Sequence, residues 1–205
     1  VLRFEVVEGR VGKLVFEGSE GYDDAFLTRQ LDLLEPGTIL RFADLEREIL
    51  LLNDLPGLVA RSVLVPGEAY GTTDINLRME ETPVAANAVL DNQGRKVIGQ
   101  WRLGADFTIN NPFKFGDVLG LGYTHSQHSL LRQGRFSYGF PILSAGSRMN
   151  LSYSRSEYDV GEEFAALGIA GISETARMQI SHPFIRSRRA NLSAIIGGAH
   201  VRGQS

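Results

Sequence analysis

Val97-Ile98-Gly99-Gln100-Trp101-Arg102-Leu103-Gly104-Ala105-Asp106-Phe107-Thr108-Ile109 alternates apolar and polar positions throughout. Val97, Gly99, Trp101, Leu103, Ala105, Phe107 and Ile109 share one side, and Gln100, Arg102, Asp106 and Thr108 share the other. A period of two is the signature of a β-strand with one apolar face. Ordinary strands run to about five or six residues, so this spacing predicts one long strand over 97–109.

Similar segments follow. Val84 to Leu90 precedes it, turned by Asp91-Asn92-Gln93-Gly94. Leu119, Leu121 and Tyr123 mark the next, and Phe136, Tyr138 and Phe140 alternate with Arg135, Ser137 and Gly139. Met149, Leu151 and Tyr153 alternate with Arg148, Asn150 and Ser152. Met178 and Ile180 alternate with Arg177, Gln179 and Ser181, and Leu192, Ala194 and Ile196 mark the last. These segments approach the length of a tilted transmembrane strand, about 9–11 residues. Aromatics collect near several strand ends, as an interfacial girdle requires. The count is about seven, whereas single-chain bacterial barrels begin at about eight. The expectation is therefore part of a longer protein with an incomplete barrel.

The period changes at Glu80. Before it, Leu2, Phe4 and Val6 alternate as a strand, and Leu14 to Phe16 forms a second apolar stretch. Leu27, Leu31 and Leu34 have helical spacing, with Asp23 and Asp24 at the end the helix dipole favours. A second helix is predicted from Phe42 to Asn53, with Phe42, Leu45, Ile49 and Leu52 buried. Asp44, Glu46, Arg47 and Glu48 lie mostly outside that stripe. Pro56-Gly57 stops the helix, and strands follow at 58–65 and around Ile75, Leu77 and Met79. The order β-α-α-β-β over residues 1–80 predicts a small α+β domain, two helices on a three-stranded sheet. Residues 81–205 form the strand-rich second domain.

Composition narrows the function. The chain of 205 residues has a formal net charge of -3, unlike the basic footprint of a nucleic-acid binder. Residues 1–80 carry 8 Lys+Arg against 15 Asp+Glu, so the remainder carries a basic excess compatible with a polar lumen. There are no cysteines, so disulfides and thiolate metal sites are excluded. No apolar run reaches the roughly 18–20 residues of a membrane helix. No signal peptide is visible before Val1, which reads as a truncated or processed start.

No catalytic constellation is expected. His125, His128, His182 and His200 are scattered without zinc-site spacing, and His125 and His128 read as interfacial or loop residues. Glu162-Glu163 and Asp23-Asp24 read as solvated pairs. No phosphate-binding Gly-rich loop occurs, and Gly120-Leu121-Gly122 reads as close packing within a strand. No enzyme, cofactor or metal is expected.

Leu51-Leu52-Asn53-Asp54-Leu55-Pro56-Gly57, with Pro66-Gly67 and Gly71, resembles the POTRA domain of two-partner secretion transporters, the hemolysin activator and filamentous hemagglutinin transporter type. Leu90-Asp91-Asn92-Gln93-Gly94 with Gly99, then Asn111-Pro112 with Gly116-Asp117, then Phe140-Pro141, resemble the first barrel strands of that family. The resemblance implies an outer-membrane protein of a Gram-negative bacterium, residues 1–80 being periplasmic. The POTRA domain receives an unfolded exoprotein, which passes through a sixteen-stranded barrel to the cell surface. The partners implied are an adhesin- or hemolysin-type exoprotein and outer-membrane lipid. The family's plug helix and additional POTRA domain do not precede Val1. Val201-Arg202-Gly203 is followed by Gln204, not Tyr, and lies too early for the family's Val-Arg-Gly-Tyr loop.

Two surfaces are candidates for function. If the 58–64 strand lies at a sheet edge, Leu58, Ala60, Ser62 and Leu64 could pair with an extended client, beside a groove along the second helix that includes Leu45 and Ile49. Arg102, Asp106, Arg135, Arg148 and Arg177 would project into a lumen if their apolar neighbours face lipid. They either hydrate a translocating chain or only solvate the wall and pair with each other. Competing readings are a barrel-assembly factor of the same superfamily, a POTRA-barrel module displaying a fused enzyme such as a lipase, and a soluble β-rich binding protein. No Gly-x-Ser-x-Gly elbow supports the enzyme. The soluble reading requires the apolar rows to be buried against a second sheet.

Overall fold

The computed structural model describes residues 8–143 and 146–204. The strand expected at Leu2 to Val6 lies outside the described residues. Two sheets are present among the described residues. The smaller contains β1 (Arg10–Glu17), β2 (Leu58–Pro66) and β3 (Thr72–Glu81) in the order β1-β3-β2. β1 runs parallel to central β3, and β2 runs antiparallel to it. Helices α1 (Asp24–Gln30) and α2 (Phe42–Asn53) complete the unit.

The helices form for local reasons. Asp23 caps α1 by accepting a hydrogen bond from the Ala25 N–H at 3.1 Å. That helix is shorter than its leucine spacing suggests, because Leu34 falls in a separate 3-10 turn, Asp32–Leu34. α2 has the predicted bounds, but its buried face is rotated from expectation. Phe42 is exposed, whereas Leu45, Glu48, Leu51 and Leu52 are buried. Leu45 and Leu52 meet Leu58 and Ala60 of β2 and Ile75, Leu77 and Met79 of β3 in one apolar core.

The outer edge of β1 is covered. Val11 donates to the Thr38 carbonyl at 2.9 Å, Gly37 donates to the Val11 carbonyl at 2.7 Å, and Leu40 donates to the Gly9 carbonyl at 2.9 Å. No strand pairs with the outer edge of β2 among the described residues.

The second sheet is a meander of seven antiparallel strands: β4 (Val84–Asp91), β5 (Arg102–Asn110), β6 (Val118–Ser126), β7 (Leu131–Pro141), β8 (Arg148–Asp159), β9 (Ala170–Arg186) and β10 (Asn191–Gln204). All seven expected segments are strands, but the long 97–109 strand is not continuous. Lys96–Ile98 is a 3-10 turn, and Gly99 has φ 94°, a conformation that favours glycine. Ser126 donates to the Ile98 carbonyl at 2.8 Å and holds that turn against the end of β6. Val97, Gly99 and Trp101 therefore keep the alternating composition outside the strand.

Register sorts the sheet into two faces. Across β5, β6 and β7, Asp106 is opposite Gly122, and Gly122 is opposite Arg135. Arg135 donates to Asp106 at 2.9 Å across the intervening strand and also reaches Thr124 at 3.0 Å and Gln133 at 3.1 Å. Gly122 supplies the space. A Cβ there would lie 2.5 Å from the Asp106 carboxylate and 2.9 Å from Arg135 Nε. The opposite face carries Phe107, Leu121, Phe136, Leu151 and Met178, all exposed.

Glu48 is a buried carboxyl within the smaller unit. Arg47 donates to one of its oxygens at 2.8 Å, and the other has no partner among the described residues. Burial pushes its pKa up to about 7, against the pull of Arg47, with Asp32 and Asp44 adding to the rise. Between the ordinary value of 4.5 and about 7, the folded chain holds a proton that the unfolded chain releases. Stability therefore falls as pH rises through that window. Glu48→Gln is expected to stabilise the α+β unit at pH about 8 by on the order of 2–3 kcal/mol. The substitution should also flatten the pH slope, read by thermal unfolding of the helical circular-dichroism signal.

Gly122→Val is expected to destabilise the seven-stranded sheet by about 1–3 kcal/mol through overpacking. Gly134→Ala, where an added Cβ meets nothing within 4 Å, should be neutral. Parallel thermal melts of both variants in detergent micelles separate loss of space from a general effect of removing glycine.

Candidate functional site

The register of β2 decides which backbone groups are free. Gly57 accepts from Thr82, and Gly67 donates to Thr72, so odd-numbered residues of β2 bond to β3. Antiparallel pairing alternates, so Leu58, Ala60, Ser62, Leu64 and Pro66 turn their backbone groups away from β3. Two of these positions are already engaged. Leu58 donates to the Leu55 carbonyl at 3.3 Å. Ala60 donates to Asn53 Oδ1 at 3.0 Å, and its carbonyl accepts from Asn53 Nδ2 at 2.9 Å. Pro66 has no N–H to offer. Ser62 and Leu64 have both groups unpaired among the described residues.

Side chains divide differently from the expectation of a uniform row. Leu58 and Ala60 are buried in the core, as is Leu45 of α2, so none of the three offers a contact surface. Ile49 is partly buried and packs against that core. Ser62 is half-buried, and Leu64 is 47% exposed. Exposed Phe42 shares the α2 stripe of Ile49 and Asn53 by helical spacing. α2 reverses into β2 through residues 54–57, which brings Phe42 to the same end as Leu64. Phe42 and Asn53 are the residues of this surface that apolar periodicity missed.

The five charged residues expected to face a lumen do share one sheet face by register. Arg102 pairs with Asp91 at 2.8 Å, and Arg135 pairs with Asp106 at 2.9 Å. Arg148 donates to the Gly116 carbonyl at 2.9 Å. Arg177 is exposed and makes no ion pair among the described residues. No group of His, Asp and Glu residues able to hold a metal occurs among the described residues. His125 lies in β6, and His128 lies in a 3-10 turn beyond it. No helix of the described residues is long and apolar enough to cross a membrane, which leaves strands as the elements that could.

The two units meet at the turn between β5 and β6. Asn111 Nδ2 donates to the Gly21 carbonyl at 2.8 Å, while its Oδ1 accepts from Gly116 N–H at 2.8 Å. Gly116, at φ 80°, lies where a Cβ would approach Phe26 at 2.9 Å and Leu55 at 3.2 Å. Buried Asp117 accepts from Phe113 N–H at 3.2 Å and Tyr138 Oη at 3.0 Å. A second tie joins the end of α2 to β9, where Arg186 binds both oxygens of Asp54 at 2.7 Å.

Comparison with known proteins agrees with this architecture. The chain is 26% identical over 197 residues to the heme/hemopexin transporter protein HuxB of Haemophilus influenzae, covering 95% of this chain and 35% of that protein. It is also 26% identical over 203 residues to the outer membrane transporter CdiB of Dickeya dadantii, covering 96% and 35%. The chain thus spans about a third of the length of these relatives. The structure superposes on CdiB from Escherichia coli with a TM-score of 0.73 at 21% identity, covering 97% of this chain and 38% of that one. BamA from Haemophilus ducreyi lacking POTRA domains 1-3 gives 0.64 at 17% identity, covering 96% and 36%. Residues 71–205 match the family model described as haemolysin secretion/activation protein ShlB/FhaC/HecB. The chain belongs to that family of secretion and activation proteins.

Proposed function

We propose that this chain contains a periplasmic POTRA domain, residues 1–80, and the opening strands of an outer-membrane β-barrel, residues 81–205. In this reading it receives an unfolded exoprotein and passes it into a pore leading to the cell surface. The carrying observation is the open β2 edge on a unit bonded directly to the base of an antiparallel sheet. Backbone pairing tolerates varied side chains, which suits a client that is not yet folded.

The two sheet faces support the membrane assignment. Phe107, Leu121, Met178 and Ile196 on the apolar face are 40%, 47%, 49% and 73% exposed, with no second sheet over them among the described residues. This removes the main support for a soluble β-rich binding protein. Lipid is the environment that accepts such a face, with the polar face turned to a water-filled lumen. Phe113, Phe115, Tyr138 and Phe140 form linked aromatic contacts at the sheet end nearest the α+β unit. Tyr123 lies toward the other end on the apolar face. Aromatics at both ends fit two membrane interfaces. The acidic first unit and the formal net charge of -3 give no support for nucleic acid as a partner. A barrel-assembly role shares this fold, and membership of the secretion family weighs against it.

The edge can be tested without disturbing the fold. Leu64→Pro removes an outward N–H while leaving the β2–β3 ladder intact. Fluorescence titration of the chain in detergent micelles with a labelled unfolded exoprotein segment is expected to saturate. Leu64→Pro should weaken that binding about tenfold or more, the loss of a hydrogen bond plus a strand clash. No binding by the parent chain, or equal binding by the variant, rejects the edge as the receiving surface.

A further inference from the structure

The carboxamide of Asn53 performs a task that helix capping does not require. Its Nδ2 donates to Ile49 O at 2.7 Å and to Ala60 O at 2.9 Å, while its Oδ1 accepts from Ala60 N–H at 3.0 Å. One side-chain amide thus supplies the donor and acceptor that a neighbouring strand would offer Ala60. Adjacent outward positions differ. Leu58 N–H is tied to Leu55, and Pro66 has no N–H. Ser62 and Leu64 alone have both outward groups unpaired among the described residues.

From this arrangement, and resting on the reading of β2 as the receiving edge, we propose that Asn53 is a positioning residue that acts as a built-in substitute strand. It occupies the Ala60 position and confines first pairing to Ser62 and Leu64. The occupant is an extended polypeptide segment, because the group already seated at Ala60 is chemically a peptide amide. A client pairs first at the end of the edge farther from the seven-stranded sheet. It gains Ala60 only by displacing Asn53, so register and extent of pairing are set by competition between two amides. That competition keeps the bound segment exchangeable.

Amide hydrogen exchange by NMR on the chain in detergent micelles, with and without a synthetic peptide of alternating valine and threonine, tests the proposal. In the parent chain, Ala60 should exchange slowly without peptide, whereas Ser62 and Leu64 should exchange fast and become protected when it binds. In Asn53→Ala, Ala60 should exchange fast without peptide and become protected with it. Peptide affinity should rise about three- to tenfold, because a competing hydrogen-bond pair is gone. Asn53→Asp keeps the acceptor for Ala60 N–H but removes both donated bonds. It should give a smaller gain with Ala60 still protected, and it carries the test should the alanine variant fail to fold. Protection at Ser62 and Leu64 with no change in affinity in the folded variant rejects the role of Asn53 and leaves the receiving edge standing. Absence of protection at Ser62 and Leu64 in the parent chain rejects both.

Discussion

Every strand edge exposes backbone groups that must bond to something, and that constraint governs both sheets. In the smaller sheet, β3 is paired on both sides, residues 37–40 cover β1, and Asn53 covers one position of β2. In the larger sheet, β5 to β9 each have two neighbours, and β4 and β10 form its edges. Antiparallel strands in lipid have no water with which to satisfy such groups, so they must join further strands or close. An edge in contact with water can keep a short gap, as at Ser62 and Leu64 among the described residues, whereas an edge in lipid cannot.

Polar bonds tie the two units together at more than one point. Asn111 bonds simultaneously to its own turn and to Gly21, and Arg186 binds Asp54 through two oxygens. A bidentate arginine–carboxylate pair fixes orientation as well as distance. The apolar contribution comes where Gly116 allows Phe26 and Leu55 to approach the turn. These contacts link the core of the α+β unit to the end of the strand meander and fix how the open β2 edge is presented.

Much of the fold was legible because side-chain period reports burial. Alternation located all seven strands, and leucine spacing located α2 within its observed bounds. It misread 97–101 because alternating composition cannot reveal the positive φ at Gly99. It placed Glu48 outside the core because helix periodicity weighs polarity, whereas the observed packing rotates that side inward. The shared face of Arg102, Asp106, Arg135, Arg148 and Arg177 followed from strand parity. Their partners did not, because ion pairs depend on cross-strand register. Asn53 carried no period signal. Its role becomes visible only when β2 folds back beside α2 and presents Ala60 to it.

The Arg135–Asp106 bond has a consequence for curvature. It links β5 to β7 over Gly122, strands separated by about 10 Å along the sheet at ordinary strand spacing. A tie between alternate strands is a chord drawn on one side of an arc. Shortening the chord bends the arc toward that side, and Gly122 removes the side chain that would hold it open. The interaction therefore favours a concave polar face and a convex apolar one, the sense of curl needed for a wall with water within and lipid without.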